Sequence, residues 1–425
     1  MKPTLYKHQI ETVEFYKKNS YCLNTSEPGT GKTFPSIEMA IGKKTLVVAP
    51  AFLCRNWKRE FERFGVSARL YTDTKEPESN CNVISMDQIY KNAKLFHNLD
   101  VLIVDECHNF CSLETRRTKA LHSYVSEFKP ASMFLLSGTP MRNRIPELYS
   151  LLLLLDHRNG GGQFRKSFPS MFSFCNVFCH HMTKQVPTRQ GKRTVHDFTG
   201  FKNKDLLRGW IKPIVIKYLL EQVEEIPEIS FEDVVAETEA NLILWAAEEE
   251  LNAGWESMGE FNVAPPANIS SAKLESAKSK IPFTLEYCKN LLDGGEDSLV
   301  VFSDHVNPAE EICKGLESYG AALITGATPM PTRDRLVQQF QEGKIRVMVG
   351  TIGACGTGIT LTKARTCVRN DRSWVPAQNG QAAGRLRRLT QKRKVRVIDI
   401  VSEGVDSKIT KKLREKEKLI KDALD

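Results

Sequence analysis

The chain has 425 residues, 41% hydrophobic and 26% charged, with 60 Lys plus Arg against 51 Asp plus Glu and a formal charge of +9. That composition excludes a disordered or fibrous polymer, and the longest leucine run, at 151–155, is far short of the roughly 20 apolar residues that cross a bilayer. The length favours two or three domains with separate cores, and the basic excess is compatible with a nucleic-acid partner.

The N-terminus has no apolar leader, so no signal peptide is expected. Eleven cysteines, an odd number, then point to reduced thiols in an intracellular, cytosolic-type compartment: nucleoid or nucleus, or host cytoplasm if the protein is viral.

In chain order, the first third alternates short apolar runs with amphipathic segments. YCLNT, TLVVAP, NVISM, VLIVDE and SMFLLSG read as strands, and WKREFERF as a helix between them. Strands alternating with helices imply a parallel sheet covered on both faces. Residues 26–33, SEPGTGKT, sit between the first strand and a helix and end in Gly-x-Gly-Lys-Thr. In such a loop the backbone N–H groups from Gly29 to Thr33, with Pro28 and Thr30 shaping the turn, cradle nucleotide phosphates. Lys32 would bridge the β- and γ-phosphates, and the Thr33 hydroxyl would bind Mg²⁺. Ser26 stands where the full pattern has Gly, which leaves the tight turn to Gly29 and Gly31.

Residues 101–108, VLIVDECH, end a buried strand in two adjacent carboxylates. Asp105 is expected to hold the metal and Glu106 to orient and deprotonate the attacking water. His108 would couple this site to Ser137, Gly138 and Thr139. ATP and Mg²⁺ are the cofactors these residues imply.

The stretch 161–272 reads differently. After GGGQF come aromatic and Cys-rich residues, a basic patch at 183–193 (TKQVPTRQGKR), and helical patterns at 206–226 and 240–255. We expect a mostly helical insertion. Cys175, Cys179, His180 and His181 look like metal ligands, but no second paired arm follows, which favours buried thiols. The basic patch is either a solvated loop or a contact for a second duplex arm.

The final third repeats the alternation: SLVVFS, a helix at 308–319, AALITG, IRVMVGT, ARTCVRN and KVRVIDIV. Gln381, Arg385 and Arg388 are spaced by four and three residues, which on a helix places them on one face. They would complete the phosphate site from the second α/β unit, the arginines acting as fingers. A charged helix is expected for the tail from 411. The domain reading is 1–160, 161–272 and 273–425.

Set in order, these segments resemble a superfamily-two helicase motor of the Swi/Snf-like ATPase family. The resemblance covers nearly all of the chain. It runs through LYKHQIETV, LVVAPAFLCRNWKREFERF, LLSGTPMRNRIPELYSLLLLL, SLVVFSDHVNPAEEI, GTIGACGTGITLT, SWVPAQNGQAAGRLRRLTQ and VIDIVSEGVDSKI. The middle segment looks most like the annealing-helicase, fork-remodelling branch. Where the family usually has two Arg, this chain has Lys217 and Tyr218.

The resemblance implies an α/β fold of two tandem RecA-like parallel-sheet lobes. It implies a DNA-dependent ATPase or helicase that tracks on DNA, and its looser match implies branched or forked duplex as substrate. A remodeller of protein–DNA complexes or a non-unwinding DNA-stimulated ATPase remain alternatives. By resemblance Gln9 would recognise adenine, and Pro50, Ser85, His305 and Thr351 would lie near the DNA backbone, opposite the nucleotide's side of the sheets. Trp374 either faces that DNA or packs in the core. A monomer with no membrane partner is expected.

Overall fold

A computed structural model describes residues 2–71, 79–141, 144–157, 162–188, 191–223, 226–236, 267–355, 359–388, 390–402, 406, 410 and 413. The chain divides at Val223/Glu224 into two compact units.

The first unit is built on a seven-stranded, wholly parallel sheet. Its strands are β1 (Tyr21–Asn24), β2 (Thr45–Ala49), β3 (Ala68–Tyr71), β4 (Cys81–Ser85), β5 (Val101–Asp105), β6 (Ser132–Leu136) and a two-residue β9 (Val215–Ile216). They lie in the order β3-β4-β2-β5-β6-β1-β9. Every residue of β1 and β2 is buried, as strands covered on both faces require. One core holds Leu46, Val48, Leu102, Val104 and Leu135 against the helix Arg116–Phe128. The opposite core holds Val47, Ile103 and Phe134 against Trp57 and Phe61 of the helix Ala51–Arg63. The leucine run falls in the helix Pro146–Asp156, apolar all round because it serves two cores. Leu151 and Leu154 face the sheet, while Leu148 and Leu152 face the next layer.

That layer corrects part of the helical reading of the middle segment. Helices Gln163–Ser167 and Met171–Phe178 are present, but His180–Thr188 (β7) and Gly191–Thr199 (β8) form an antiparallel ribbon. The β-branched Thr183, Val186, Thr188, Thr194, Val195 and Thr199 favour strands, and Pro187 and Gly191 disfavour a helix interior. The helix expected over 206–226 stops at Ile211, and Pro213 explains why: it has no N–H to continue the ladder. The helix expected at 240–255, and most of the tail from 411, fall outside the described residues.

The second unit carries a six-stranded parallel sheet of β10 (Ile229–Val235), β11 (Leu299–Ser303), β12 (Ala321–Ile324), β13 (Val347–Thr351), β14 (Thr366–Arg369) and β15 (Val395–Val401). The order is β10-β15-β14-β11-β13-β12. Edge strand β10, which the sequence reading left in the insertion, pairs with β15 from Ile229↔Val395 to Val235↔Val401. Both units are therefore RecA-like parallel-sheet lobes.

Buried charge ties the second unit's central strands to the segment that follows them. Arg369 on β14 makes a two-armed pair with Asp399 on β15, 2.6 Å at Nε and 2.7 Å at Nη2, and its Nη1 reaches the Asn379 carbonyl. Arg372 also bonds Asp399, at 2.6 Å. Burial alone would raise the Asp399 pKa, but Arg369 and Arg372 hold it below the usual carboxylate range.

Candidate functional site

Within the first unit, three chemistry-bearing segments converge on the carboxyl ends of neighbouring strands, where open α/β sheets form their ligand crevices. The phosphate-type loop follows β1, Asp105 ends β5, and Ser137 follows β6.

The loop turns through Gly29 (φ 102°) and Gly31 (φ 78°), both left-handed, so the turn falls on the two glycines expected to make it. Lys32 caps the helix Thr33–Ala40 and folds back, donating to the Ser26 carbonyl at 2.6 Å and the Glu27 carbonyl at 3.1 Å. Ser26, the departure from the Gly pattern, has a use here: its Oγ accepts the Tyr218 N–H at 3.0 Å. The Glu27 N–H in turn donates to the Tyr218 carbonyl at 2.9 Å, and Glu27 Oε2 accepts the Leu220 N–H at 2.7 Å. Tyr218 also donates its hydroxyl to Glu11 at 2.5 Å and sets its ring edge-on to His8, 5.6 Å between centroids. Tyr218 thus braces the loop from outside. In the sequence Tyr218 stands out only as a departure from the family's arginine.

Gln9 closes the loop from the other side. Its amide nitrogen reaches the Gly31 carbonyl at 3.2 Å, and its oxygen accepts the Tyr6 N–H at 3.0 Å. The side chain is wholly buried against the loop. His8 adds a 2.8 Å bond to the Thr30 carbonyl.

Asp105 Oδ2 accepts a 2.8 Å hydrogen bond from Trp57 Nε1, and Oδ1 accepts the Glu106 N–H at 2.9 Å. Burial, then the neighbouring Glu106 charge, push the Asp105 pKa up to about 6; Trp57 and Lys32 pull the other way. Glu106 adopts a left-handed backbone (φ 48°, ψ 49°) that a non-glycine residue takes only when its surroundings hold it there. That turn aims its carboxylate at His108, 3.2 Å from Nδ1. The same His108 nitrogen lies 2.8 Å from Ser137 Oγ, which accepts the Thr139 N–H at 3.2 Å. Coupling of His108 to the 137–139 segment, expected from sequence, is thus a direct contact. Gly138 packs so tightly on the loop that a Cβ there would come within 2.6 Å of Pro28 Cδ.

Two adjacent carboxylates, one held well above its ordinary pKa, with a lysine and a helix start beside them, suit a cation bound to a phosphate. Asp105, Thr33 and the loop fit such a group.

In the second unit the expected helical face is corrected. The helix Pro376–Ala383 carries Gln381 but ends at Gly384, a poor helix former, so Arg385 and Arg388 lie in the turns beyond it. Arg385 still reaches back, Nε to the Gln381 carbonyl at 3.1 Å. Arg388 Nη1 bonds Thr360 Oγ1 at 2.8 Å, and burial together with the Arg385 charge pushes its pKa down to about 9.

The residues expected near DNA also end strands. Pro50 follows β2 and caps the helix Ala51–Arg63, and Ser85 ends β4 in register with Ala49. They lie along the same carboxyl edge as the phosphate-type loop, not opposite it, because each follows the end of a parallel strand. In the second unit Thr351 ends β13 in register with Ser303, and His305 caps the helix Val306–Gly315. Trp374 is 8% exposed, its indole in the interior. Cys175 and Cys179 are wholly buried among Phe164, Phe168, Phe174 and Phe178. Among the described residues, the grouping able to hold a metal is instead Asp304, His305 and Asp371, where Lys273 already pairs with Asp304.

Residues 8–241 match the SNF2-related domain, and 284–390 match the helicase conserved C-terminal domain. The chain belongs to the SNF2-related family. Among its curated relatives is the SWI/SNF-related matrix-associated actin-dependent regulator of chromatin subfamily A-like protein 1 of Xenopus tropicalis, 27% identical over 94% of this chain and 42% of that protein. Another is the DNA annealing helicase and endonuclease ZRANB3 of Mus musculus, 25% identical over 91% of this chain and 37% of that one. The chain spans about two fifths of the length of these relatives. A Sulfolobus solfataricus SWI2/SNF2 ATPase core solved in complex with dsDNA aligns at 20% identity with a TM-score of 0.46, covering 99% of this chain and 93% of that one. Trp57 and Tyr218 are the site residues that motif reading did not single out. The first lies inside the WKREFERF segment, which reads only as a helix; the second marks a departure from the family.

Proposed function

We propose that this SNF2-related chain is a DNA-dependent ATPase that converts ATP hydrolysis into movement along DNA and acts on branched or forked duplexes. One observation carries the nucleotide reading: Asp105 and Glu106 at the tip of β5, with the Asp105 carboxyl raised to about 6 beside Lys32. That is a concentrated negative centre next to a phosphate-type loop.

In this reading the N–H groups from Gly29 to Thr33 hold the β-phosphate, and Lys32 leaves the Ser26 and Glu27 carbonyls for the β- and γ-phosphates. Gln9, already bonded to the loop backbone, senses its conformation and the adenine beside it. Mg²⁺ held by Thr33 and Asp105 would neutralise charge developing on the phosphates. Glu106 takes the proton of the attacking water, with His108 fixing its carboxylate. Arg385 and Arg388, whose mutual repulsion an anion would relieve, act as the transition-state cations, with Gln381 beside them.

Pro50, Ser85, His305 and Thr351 are the proposed contacts to the DNA backbone, which would make binding sequence-independent and salt-sensitive. The relative named a DNA annealing helicase supports action on DNA strands being paired, and the basic patch, whose residues 183–188 and 191–193 fall on the β7–β8 ribbon, supports a contact beside the main track. The test is ATP turnover on single-stranded, linear duplex and forked DNA at low salt. DNA stimulation is expected, strongest on forks. Equal rates with and without saturating DNA would remove the coupling, and equal rates on linear and forked duplex would remove the branched-substrate reading.

A further inference from the structure

The root of the β7–β8 ribbon carries aromatic side chains that the nucleotide site and the strand-end DNA contacts leave unused. His181 and Phe198 are register partners, as are Thr183 and His196. Residues two apart share a face of a strand, so His181, His196 and Phe198 project from one side of the ribbon. The His181 ring stacks on Phe198, centroids 4.8 Å apart and planes 20° from parallel. His181 Nε2 lies 2.8 Å from His196 Nδ1. Phe172, in the first turn of the helix Met171–Phe178, stands edge-on to all three rings at 5.4–5.5 Å.

This group is anchored but open. The helix beneath it starts at a capping box, Ser170 with Ser173, and buries Phe174, Cys175 and Phe178 completely. Phe172 nevertheless remains 45% exposed, and His181 and His196 are exposed with it. Three exposed rings, held through Phe198 against the buried cluster, offer themselves to a planar partner.

Charge identifies that partner. Residues 163–204 contain eight Lys or Arg against a single acid, Asp197, so this tenth of the chain holds most of its +9 excess. A planar partner in a basic setting is a nucleobase on its phosphate backbone. In duplex DNA the base faces are already stacked and unavailable. Unpaired nucleotides offer theirs, and stacking on aromatic rings beside a basic track is how proteins hold single strands without reading sequence.

We propose that Phe172, His181, His196 and Phe198 form a stacking platform for unpaired nucleotides at the root of the ribbon. This rests on the reading of the chain as a DNA motor, and names a class of structure it engages: duplex joined to a single-stranded arm. Phe172 is the platform's exposed phenyl ring.

The experiment compares a linear duplex with a fork of equal duplex length bearing a single-stranded arm, by fluorescence anisotropy, with 2-aminopurine in the arm to report stacking. For wild type, tighter binding to the fork and quenching of 2-aminopurine are expected. Phe172→Leu, which keeps an apolar side chain but no ring, should weaken fork binding on the order of 10-fold, the size of one lost base–aromatic stack, and abolish the quenching. Its linear-duplex affinity and duplex-stimulated ATPase should be unchanged. Phe172→Tyr, which restores a ring, should behave as wild type. Phe172→Leu binding the fork as wild type does, or weakening fork and duplex equally, would overturn the platform; the first result would leave the patch as a protein-contact surface. Failure of the motor reading is seen separately, as a wild-type ATPase indifferent to linear duplex.

Discussion

Trp57 Nε1 donates a hydrogen bond to Asp105 Oδ2 at 2.8 Å, from a helix whose first residue follows Pro50. One element therefore touches both the strand end proposed to meet DNA and the carboxylate proposed to hold the metal. The indole is 1% exposed and packed against Phe61, so its direction is fixed by the core.

Trp57→Phe keeps most of that packing and deletes the donor. Removing an outer-shell partner of a metal ligand costs about 10–100-fold in metal affinity or activity. The Mg²⁺ concentration for half-maximal nucleotide binding should rise by that order, with a melting temperature close to wild type. An unchanged Mg²⁺ requirement would reduce Trp57 to a core residue.

Lys32 and Glu106 should fail in different ways. Lys32→Ala removes the cation from the loop, so nucleotide binding and turnover both fall. Glu106→Gln keeps the hydrogen-bonding shape beside His108 and loses only the base, so Mg²⁺-nucleotide still binds while turnover collapses. Equilibrium binding of a fluorescent nucleotide alongside phosphate release separates them. Near-normal turnover by Glu106→Gln would remove it from the chemistry.

For Arg388, loss of a transition-state cation predicts a fall of roughly 10³–10⁵ in turnover, the range seen for arginine fingers. DNA affinity, measured by anisotropy at the same salt, should persist in Arg388→Ala. If DNA binding collapses while basal turnover survives, the residue belongs to the DNA contacts.

Asp399 supplies the pH-dependent prediction. Its folded pKa lies below the ordinary carboxylate value, so its pairing with Arg369 and Arg372 stabilises the fold above about pH 4 and is lost as pH falls through the folded value. Asp399→Asn leaves Arg369 buried without its counter-charge, a loss of roughly 3–5 kcal/mol at neutral pH. Urea unfolding from pH 7 to pH 3 should show the gap between variant and wild type narrowing below about pH 4, as the unfolded-state carboxyl protonates first and the folded one only at lower pH. A gap that does not change with pH would mean the ion pair contributes nothing beyond packing.

Much of this was legible from local pattern. Runs such as TLVVA and VLIVD became β2 and β5 because strands buried on both faces leave an unbroken apolar signature. Gly29 and Gly31 carry the positive φ that their motif implied. What stayed hidden depends on partners far apart in sequence. Trp57 looks like any core tryptophan until β5 brings Asp105 under its N–H. Tyr218 meets Ser26 from 192 residues away. β10 is half exposed, so its short alternation was lost beside the helical patterns around it, and its pairing with β15 supplied the missing information. Arg385 and Arg388 were placed on a helix by spacing alone, without allowing for Gly384 between them and Gln381.

The contact between Gly138 and Pro28 sets what the sequence can tolerate at a position that bears no chemistry. With no room for even a methyl group, any side chain at 138 must push either the phosphate-type loop or the Ser137–Thr139 turn out of place. Gly138→Ala would then present in an assay as a defect of nucleotide handling, though residue 138 has no functional group to offer a phosphate. Variation there is silenced by a neighbour's shape, and the turn after β6 and the loop after β1 are obliged to change together or not at all.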